Sequence, residues 1–320
     1  MIRVQVRPTN IFQRQAYGLA LADYGDHNTE VVVLEADVSS STLTSYFAKR
    51  FPQRFFNFGV TEASMVDAGV GFALGGKIPF VNTFAALLTL RACEQIRTCV
   101  AYANGNVKLV GGFAGVSDYK DGATHYAIND IATMRSLPNM VVLAPADAIE
   151  AAKMVKLIAE YDGPVYMRIS RATVPDVFYE DYQPEIGKGV IVRAGSDVTL
   201  ISTGSMLGRS LLAAQVLADQ QVDVRVINLS TIKPIDHELV LNAAYETQAL
   251  VTVEEHTLMG GLGSAVAESV VSNRPVPVEM VGIRDVFPET GPDPETLLDA
   301  CGLSVQAIAE AVKKVLLRKE

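Results

Sequence analysis

The sequence predicts an α/β protein of two doubly wound domains, each built on a mainly parallel sheet. Three observations carry that expectation. Short β-rich apolar runs alternate with helical patterns from the first residues to Ile169. The stretch 172–187 (ATVPDVFYEDYQPEIG) then breaks the alternation with two prolines and four acids. A second alternating series follows it to the C-terminus. A length of 320 residues suits two domains, each able to bury its own core. The domains are placed at 1–175 and 190–320, with a linker at 176–189.

In the first domain the expected strands are 31–36, 54–60, 78–81, 107–112, 140–144 and 164–169. Helical patterns lie between them at 10–24, 64–74, 88–103, 128–136 and 146–160. In the second domain the expected strands are 197–202, 223–228, 249–254 and 277–282. Its expected helices are 206–219, 237–244, 263–271 and 305–317. No repeat of 20–50 residues interrupts either series.

Composition narrows the function classes. Hydrophobic residues make up 49% and charged residues 20%, which is too apolar for a disordered chain. A net charge of −9 argues against nucleic acid or an anionic membrane as the main partner. Cys93, Cys99 and Cys301 form neither a disulfide framework nor a metal-ligand pattern, which fits a cytoplasmic protein. No apolar run is long enough to span a bilayer.

The segment Phe55–Phe84 is the centre of the reading. An apolar strand ends at Thr61-Glu62, a helix of small residues runs to Leu74, and Gly75-Gly76 stops it. A second short strand then leads into Asn82-Thr83-Phe84. Thr61 can cap the helix and Glu62 falls in its first turn, where the macrodipole favours an acid. Ligands of open α/β sheets bind beyond the carboxyl ends of the strands. Ser41, Glu62, Phe84, the pair Asp121 and His125, and Arg171 each follow an expected strand. Every one of them has an ordinary explanation: a helix cap, a first-turn acid, a core aromatic, an Asp-Gly turn, a loop histidine, a pair for linker acids. Together on one edge they mark a site.

The strand–Glu–helix–strand–Phe unit resembles the pyrimidine-binding unit of thiamine diphosphate enzymes. The segments EADVSSSTLTSYFAKRFPQRFFNFGVTEASMVDAGVGFALGG, DGATH, IATMRSLPNMVVLAPADA, STGSMLGRSLLAAQVLA, INLSTIKPID and VEEHTLMGGLG extend the likeness over nearly the whole chain. They are similar to the C-terminal half of transketolase, and more narrowly to the C-terminal subunit of transketolases split into two chains. The resemblance implies a pyrimidine-binding domain followed by a transketolase C-terminal domain. It implies that Glu62 bonds a ring nitrogen of the cofactor and that Phe84 stacks on the ring, with Leu87 and Leu90 as apolar cover. It also implies that His125 and Asp121 act on the sugar near the reacting carbon, and that Arg14, Ser41 and Arg171 hold its phosphate. Arg suits that task because its planar fork gives charge-assisted bonds.

Departures from the family pattern bear on the sugar. Phe113 stands where the family has a substrate-holding histidine, and Tyr126 replaces a glutamine after the loop histidine. Tyr119-Lys120-Asp121-Gly122 replaces an acidic glycine loop. No Gly-Asp-Gly diphosphate motif occurs in the 320 residues. The resemblance therefore implies that the diphosphate and Mg²⁺ are held by a partner subunit carrying that motif, with self-association through the pyrimidine-binding domains.

Two other motifs read as structural. Gly260-Gly261-Leu262-Gly263 could suggest anion or dinucleotide binding but lacks a third glycine in register. Glu254, Glu255 and His256 point apart in extended chain and suit an interface better than a metal. The expected function is ketol transfer between phosphorylated sugars. The alternatives are a half of another thiamine diphosphate enzyme, a 2-oxo acid dehydrogenase or deoxyxylulose-phosphate synthase, or a non-catalytic assembly partner.

Overall fold

The computed structural model of the chain describes residues 3–9 and 11–319. The first half supplies strands β1 (Val31–Glu35), β2 (Phe55–Asn57), β3 (Ile78–Phe84), β4 (Lys108–Gly112), β5 (Val141–Leu143) and β6 (Val165–Ile169). The second half supplies β7 (Val190–Arg193), β8 (Val198–Ser202), β9 (Val224–Asn228), β10 (Thr231–Lys233), β11 (Leu250–Thr257) and β12 (Val278–Ile283). One sheet runs β10-β5-β6-β4-β3-β1-β2 and the other β12-β11-β8-β9-β7. Strands β1 to β6 pair in parallel throughout. The α/β, doubly wound, mainly parallel architecture is as expected.

The winding follows from period-two alternation in the central strands. In β1, Val31 and Val33 face one core with Tyr17, Leu21, Val155 and Ile158 of helices Gln13–His27 and Ala148–Glu160. Val32 and Leu34 face the opposite core with Met65, Val66, Leu88, Ile96 and Val100. The second sheet divides likewise, with Leu200 and Val226 facing one cluster and Ile201 and Ile227 the other.

Four local expectations change. The run 88–103 is not one helix. It begins directly after Phe84 as Ala85–Arg91, breaks at Ala92 (φ −103°, ψ 19°) and resumes as a short turn and a π-helical segment, Ile96–Tyr102. Thr61 occupies the cap position of the helix Glu62–Leu74 but donates its hydroxyl to the Phe58 carbonyl at 2.9 Å instead of capping. Strand β7 and the helix Pro294–Ala300 are additional elements. Strand β10 leaves its own half of the chain and pairs antiparallel with β5, so the two halves share a sheet.

The halves are further joined by buried polar groups. Arg168 pairs with Asp130 at 3.0 Å and donates to the Glu255 carbonyl, while the Tyr166 hydroxyl donates to Asp130 at 2.6 Å. Glu255 accepts from the Val116 N–H at 2.7 Å. Gly115 makes that approach possible: its φ is +64°, and a Cβ there would lie 2.2 Å from the Glu255 carboxylate. The connecting stretch is also packed down. Asp147 caps the helix Ala148–Glu160 through Glu150 N–H at 2.8 Å, and its other oxygen accepts from Val177 and Phe178 N–H at 2.8 and 2.7 Å.

Candidate active site

Parallel pairing brings the carboxyl ends of β1, β2, β3, β4 and β6 to one edge, and the residues picked from the sequence follow those ends. Glu62 opens its helix after β2 and is only 4% exposed. A buried carboxylate needs a compensating partner. Here that partner is Arg91, whose Nη1 lies 3.1 Å from Glu62 Oε1. Arg91 ends the helix that starts beside Phe84, which ties Glu62 and Phe84 to one corner of the edge. Leu87 is half-buried in that helix and Leu90 is 52% exposed; neither joins an apolar cluster.

Phe84 is the last residue of β3 and is half-buried. Its ring stacks on Phe113, centroid to centroid 4.2 Å at 26°. Phe113 reaches it from a left-handed backbone, φ 61°, a conformation that costs a bulky residue of order 1–3 kcal/mol. The His125 ring stands edge-on to Phe84 at 6.1 Å. His125 and Asp121 lie in a turn-rich loop held by Asp121 N–H to the Asp118 carbonyl and His125 N–H to the Gly122 carbonyl. His125 Nδ1 is 3.0 Å from the Thr124 hydroxyl. The exposed Asp121 carboxylate has no hydrogen-bond partner among the described residues. The second half pins this loop, because the Tyr126 hydroxyl donates to the Tyr119 and Glu289 carbonyls at 3.2 and 3.3 Å. Tyr126 is thus a brace between the loop and the second half.

Arg14 and Arg171 converge on the same ring. Their guanidinium carbons lie 5.8 and 4.9 Å from the Phe113 centroid, within reach of cation–π attraction. Burial and the neighbouring charge of Arg171 both lower the Arg14 pKa. Arg14 Nη1 donates to the backbone carbonyl of Ser41 at 2.7 Å, so Ser41 contributes through its main chain. Arg171 pairs with Asp118, which is fully buried. Beneath the cluster, Glu35 at the end of β1 accepts from the hydroxyls of Thr42 and Thr44 and holds the turn that carries Ser41. Burial pushes its pKa up to about 7.

Sequence reasoning missed Arg91, Asp118 and Glu35 as parts of this site. An arginine seven positions after Phe84 and an acid ending an apolar strand were the available signals. The motifs read as structural behave that way: Glu254 accepts from Leu262 and Gly263 N–H at 2.7 and 2.8 Å, filling the helix N-terminus that an anion would need.

Residues 10–176 match the family of the transketolase pyrimidine-binding domain, and residues 187–308 match the transketolase C-terminal domain. The chain belongs to the transketolase family. This transketolase chain is 38% identical to a 6-deoxy-6-sulfo-D-fructose transketolase subunit, SqwH, of Clostridium sp., over 96% of itself and 95% of that subunit. It superposes with a TM-score of 0.90 on a split gene transketolase solved as an inactive β4 tetramer, at 44% identity, covering 98% of this chain and 100% of that one. It is 36% identical to human transketolase but spans 49% of that protein's length. Transketolase membership implies use of thiamine diphosphate, with a pyrimidine-binding domain present in this chain.

Proposed function

We propose that this chain is the C-terminal subunit of a thiamine diphosphate-dependent transketolase that moves a two-carbon ketol unit between phosphorylated sugars. The observation that carries the reading is the pairing, on one sheet edge, of a buried acid beside an aromatic with two converging guanidiniums. Glu62 and Phe84 suit the aminopyrimidine end of the cofactor: a carboxyl shielded from water and a half-buried aromatic face. Bound thiamine diphosphate supplies the carbanion chemistry of the transfer. Glu62 holds a proton at the pyrimidine ring nitrogen, and Phe84, Leu87 and Leu90 cover the ring. His125 and Asp121 hold the sugar hydroxyls nearest the reacting carbon. Arg14, Arg171 and the Ser41 turn bind the phosphate, whose charge relieves the mutual repulsion of the two arginines.

The partner is an N-terminal subunit with the Gly-Asp-Gly motif, which holds the diphosphate and Mg²⁺. The pyrimidine-binding domains form the self-associating core of a heterotetramer. Free cysteines and the absence, among the described residues, of a helix able to cross a membrane support a cytoplasmic setting. The domain limits proposed are 1–175 and 190–320, joined at 176–189. The test is reconstitution. The purified chain alone is expected to be inactive and to bind thiamine diphosphate weakly. Addition of a Gly-Asp-Gly-bearing partner is expected to restore Mg²⁺-dependent ketol transfer. Robust activity from the single chain overturns the proposal.

A further inference from the structure

Glu62 and Arg91 form an unequal pair. The acid is 4% exposed, while the arginine side chain is 53% exposed. Among the described residues neither side chain makes any other hydrogen bond. A buried carboxylate left ionised must have a compensating charge, but an exposed arginine gains little from holding one geometry. The acid therefore depends on the arginine far more than the arginine depends on the acid. Arg91 ends the helix Ala85–Arg91, so its stem is fixed while its head is free to swing into solvent.

We propose that Arg91 is a latch on Glu62: it holds the carboxylate as an ion pair in the cofactor-free chain and must release it for the pyrimidine ring to be engaged. The proposal rests on the reading that Glu62 meets the ring nitrogen. A neutral ring nitrogen and an ionised carboxylate repel each other unless a proton lies between them. The guanidinium at 3.1 Å from Oε1 occupies the carboxylate that a bond to the ring would need. Pairing with Arg91 and sharing a proton with the ring are thus competing ways to satisfy one buried group. Arg91 is a positioning residue in this scheme, acting through Glu62.

The competition makes an unusual demand: removing a charged residue beside the site should strengthen binding. The test titrates the isolated chain with thiamine, which carries the aminopyrimidine without the diphosphate, and follows its ring protons by NMR. Arg91→Met is expected to bind thiamine about five- to tenfold more tightly than wild type, the worth of one charge-assisted bond. Arg91→Lys keeps the charge and is expected to stay within about twofold of wild type. In a Glu62→Gln background, Arg91→Met is expected to have no effect, because the competition has lost its object. Unchanged or weaker binding by Arg91→Met overturns the latch, as does a gain that persists without the Glu62 carboxylate. If Glu62→Gln alone binds thiamine as wild type does, the assignment of Glu62 itself fails, and the latch with it. Arg91→Met leaves the buried Glu62 carboxyl without its partner and is expected to lower the melting temperature, whereas Arg91→Lys and the double variant with Glu62→Gln are expected to melt close to wild type.

Discussion

The two sheets place buried acids at the same kind of edge and satisfy them in opposite ways. At the edge of the first sheet, Glu62 is met by one half-free arginine side chain. At the edge of the second, Glu254 is met by two backbone N–H groups, and the approach is so close that a Cβ on Gly261 would lie 2.0 Å from its oxygen. Backbone donors cannot leave, so Glu254 is committed to the fold. A side-chain donor can leave, which is what the role proposed for Glu62 toward a ligand requires. Burial alone does not separate a site from an interface; the mobility of what satisfies the buried group does.

That contrast breaks most visibly if Glu62 is neutralised. Glu62→Gln keeps size but cannot share an acidic proton with the ring nitrogen. In the reconstituted complex both Glu62→Gln and Glu62→Ala are expected to lose about 10²–10⁴-fold in kcat, the usual scale of acid–base catalysis. Exchange of the thiazolium carbon proton should slow in parallel, and the fold should survive. Wild-type exchange in a cofactor-loaded Glu62→Gln complex would return Glu62 to the status of an ordinary first-turn acid.

Arg171 sharpens the comparison from the proposed sugar end, where an ion pair within the fold meets a proposed role in binding phosphate. Its partner Asp118 is fully buried, so Arg171→Ala strands a charge and is expected to cost about 3 kcal/mol of stability. The double change with Asp118→Asn should recover most of that loss. If Arg171 also holds phosphate, the double variant still shows KM for phosphorylated sugars raised about 10–100-fold, with kcat little changed. Equal loss for unphosphorylated sugars would leave Arg171 with the structural role alone.

Much of this was legible in the sequence for a physical reason. Parallel strands buried on both faces read as apolar runs, and their carboxyl ends mark the edge where Ser41, Glu62, Phe84, His125 and Arg171 fall. What stayed hidden depends on distance across the fold. Asp118 is 53 residues from Arg171, and nothing local reveals their pairing. Phe113 stands out as a family departure, but its stacking on Phe84 follows from a left-handed backbone that no phenylalanine announces. Strand β10 is three residues long and gains its partner only from the other half of the chain, so no periodicity could show it.

The second edge makes a prediction about pH. Burial raises the pKa of Glu254 to about 7 despite its two N–H partners, and burial does the same to Glu35 and Glu150. A carboxyl whose folded pKa exceeds its unfolded one binds protons more tightly when folded. Its contribution to stability is complete below the unfolded pKa and is lost as pH rises through the folded value. Stability measured by urea unfolding is therefore expected to fall between about pH 5 and pH 8. Glu254→Gln should reduce that slope by up to about 1.4 kcal/mol per pH unit while lowering stability at the acid end. An unchanged slope would mean that Glu254 does not titrate in that range.

The smallest expected effect separates main chain from side chain within the phosphate cluster. The family resemblance assigns Ser41 a part in holding phosphate, and a serine hydroxyl is the natural donor for that. In the structure it is the Ser41 carbonyl that acts, receiving Arg14 Nη1 at 2.7 Å and aiming the guanidinium over Phe113. The turn bearing that carbonyl is held from below by Thr42 and Thr44 on Glu35, not by the Ser41 hydroxyl. Ser41→Ala removes the hydroxyl and leaves the carbonyl, the turn and Arg14 in place. KM for phosphorylated sugars is then expected to rise less than about threefold, well under 1 kcal/mol. Arg14→Ala removes the charge itself and is expected to raise KM by about tenfold or more. Equal effects from the two variants would show that the hydroxyl contacts the phosphate directly, and the site would then hold its anion by three side chains instead of two arginines positioned by a backbone carbonyl.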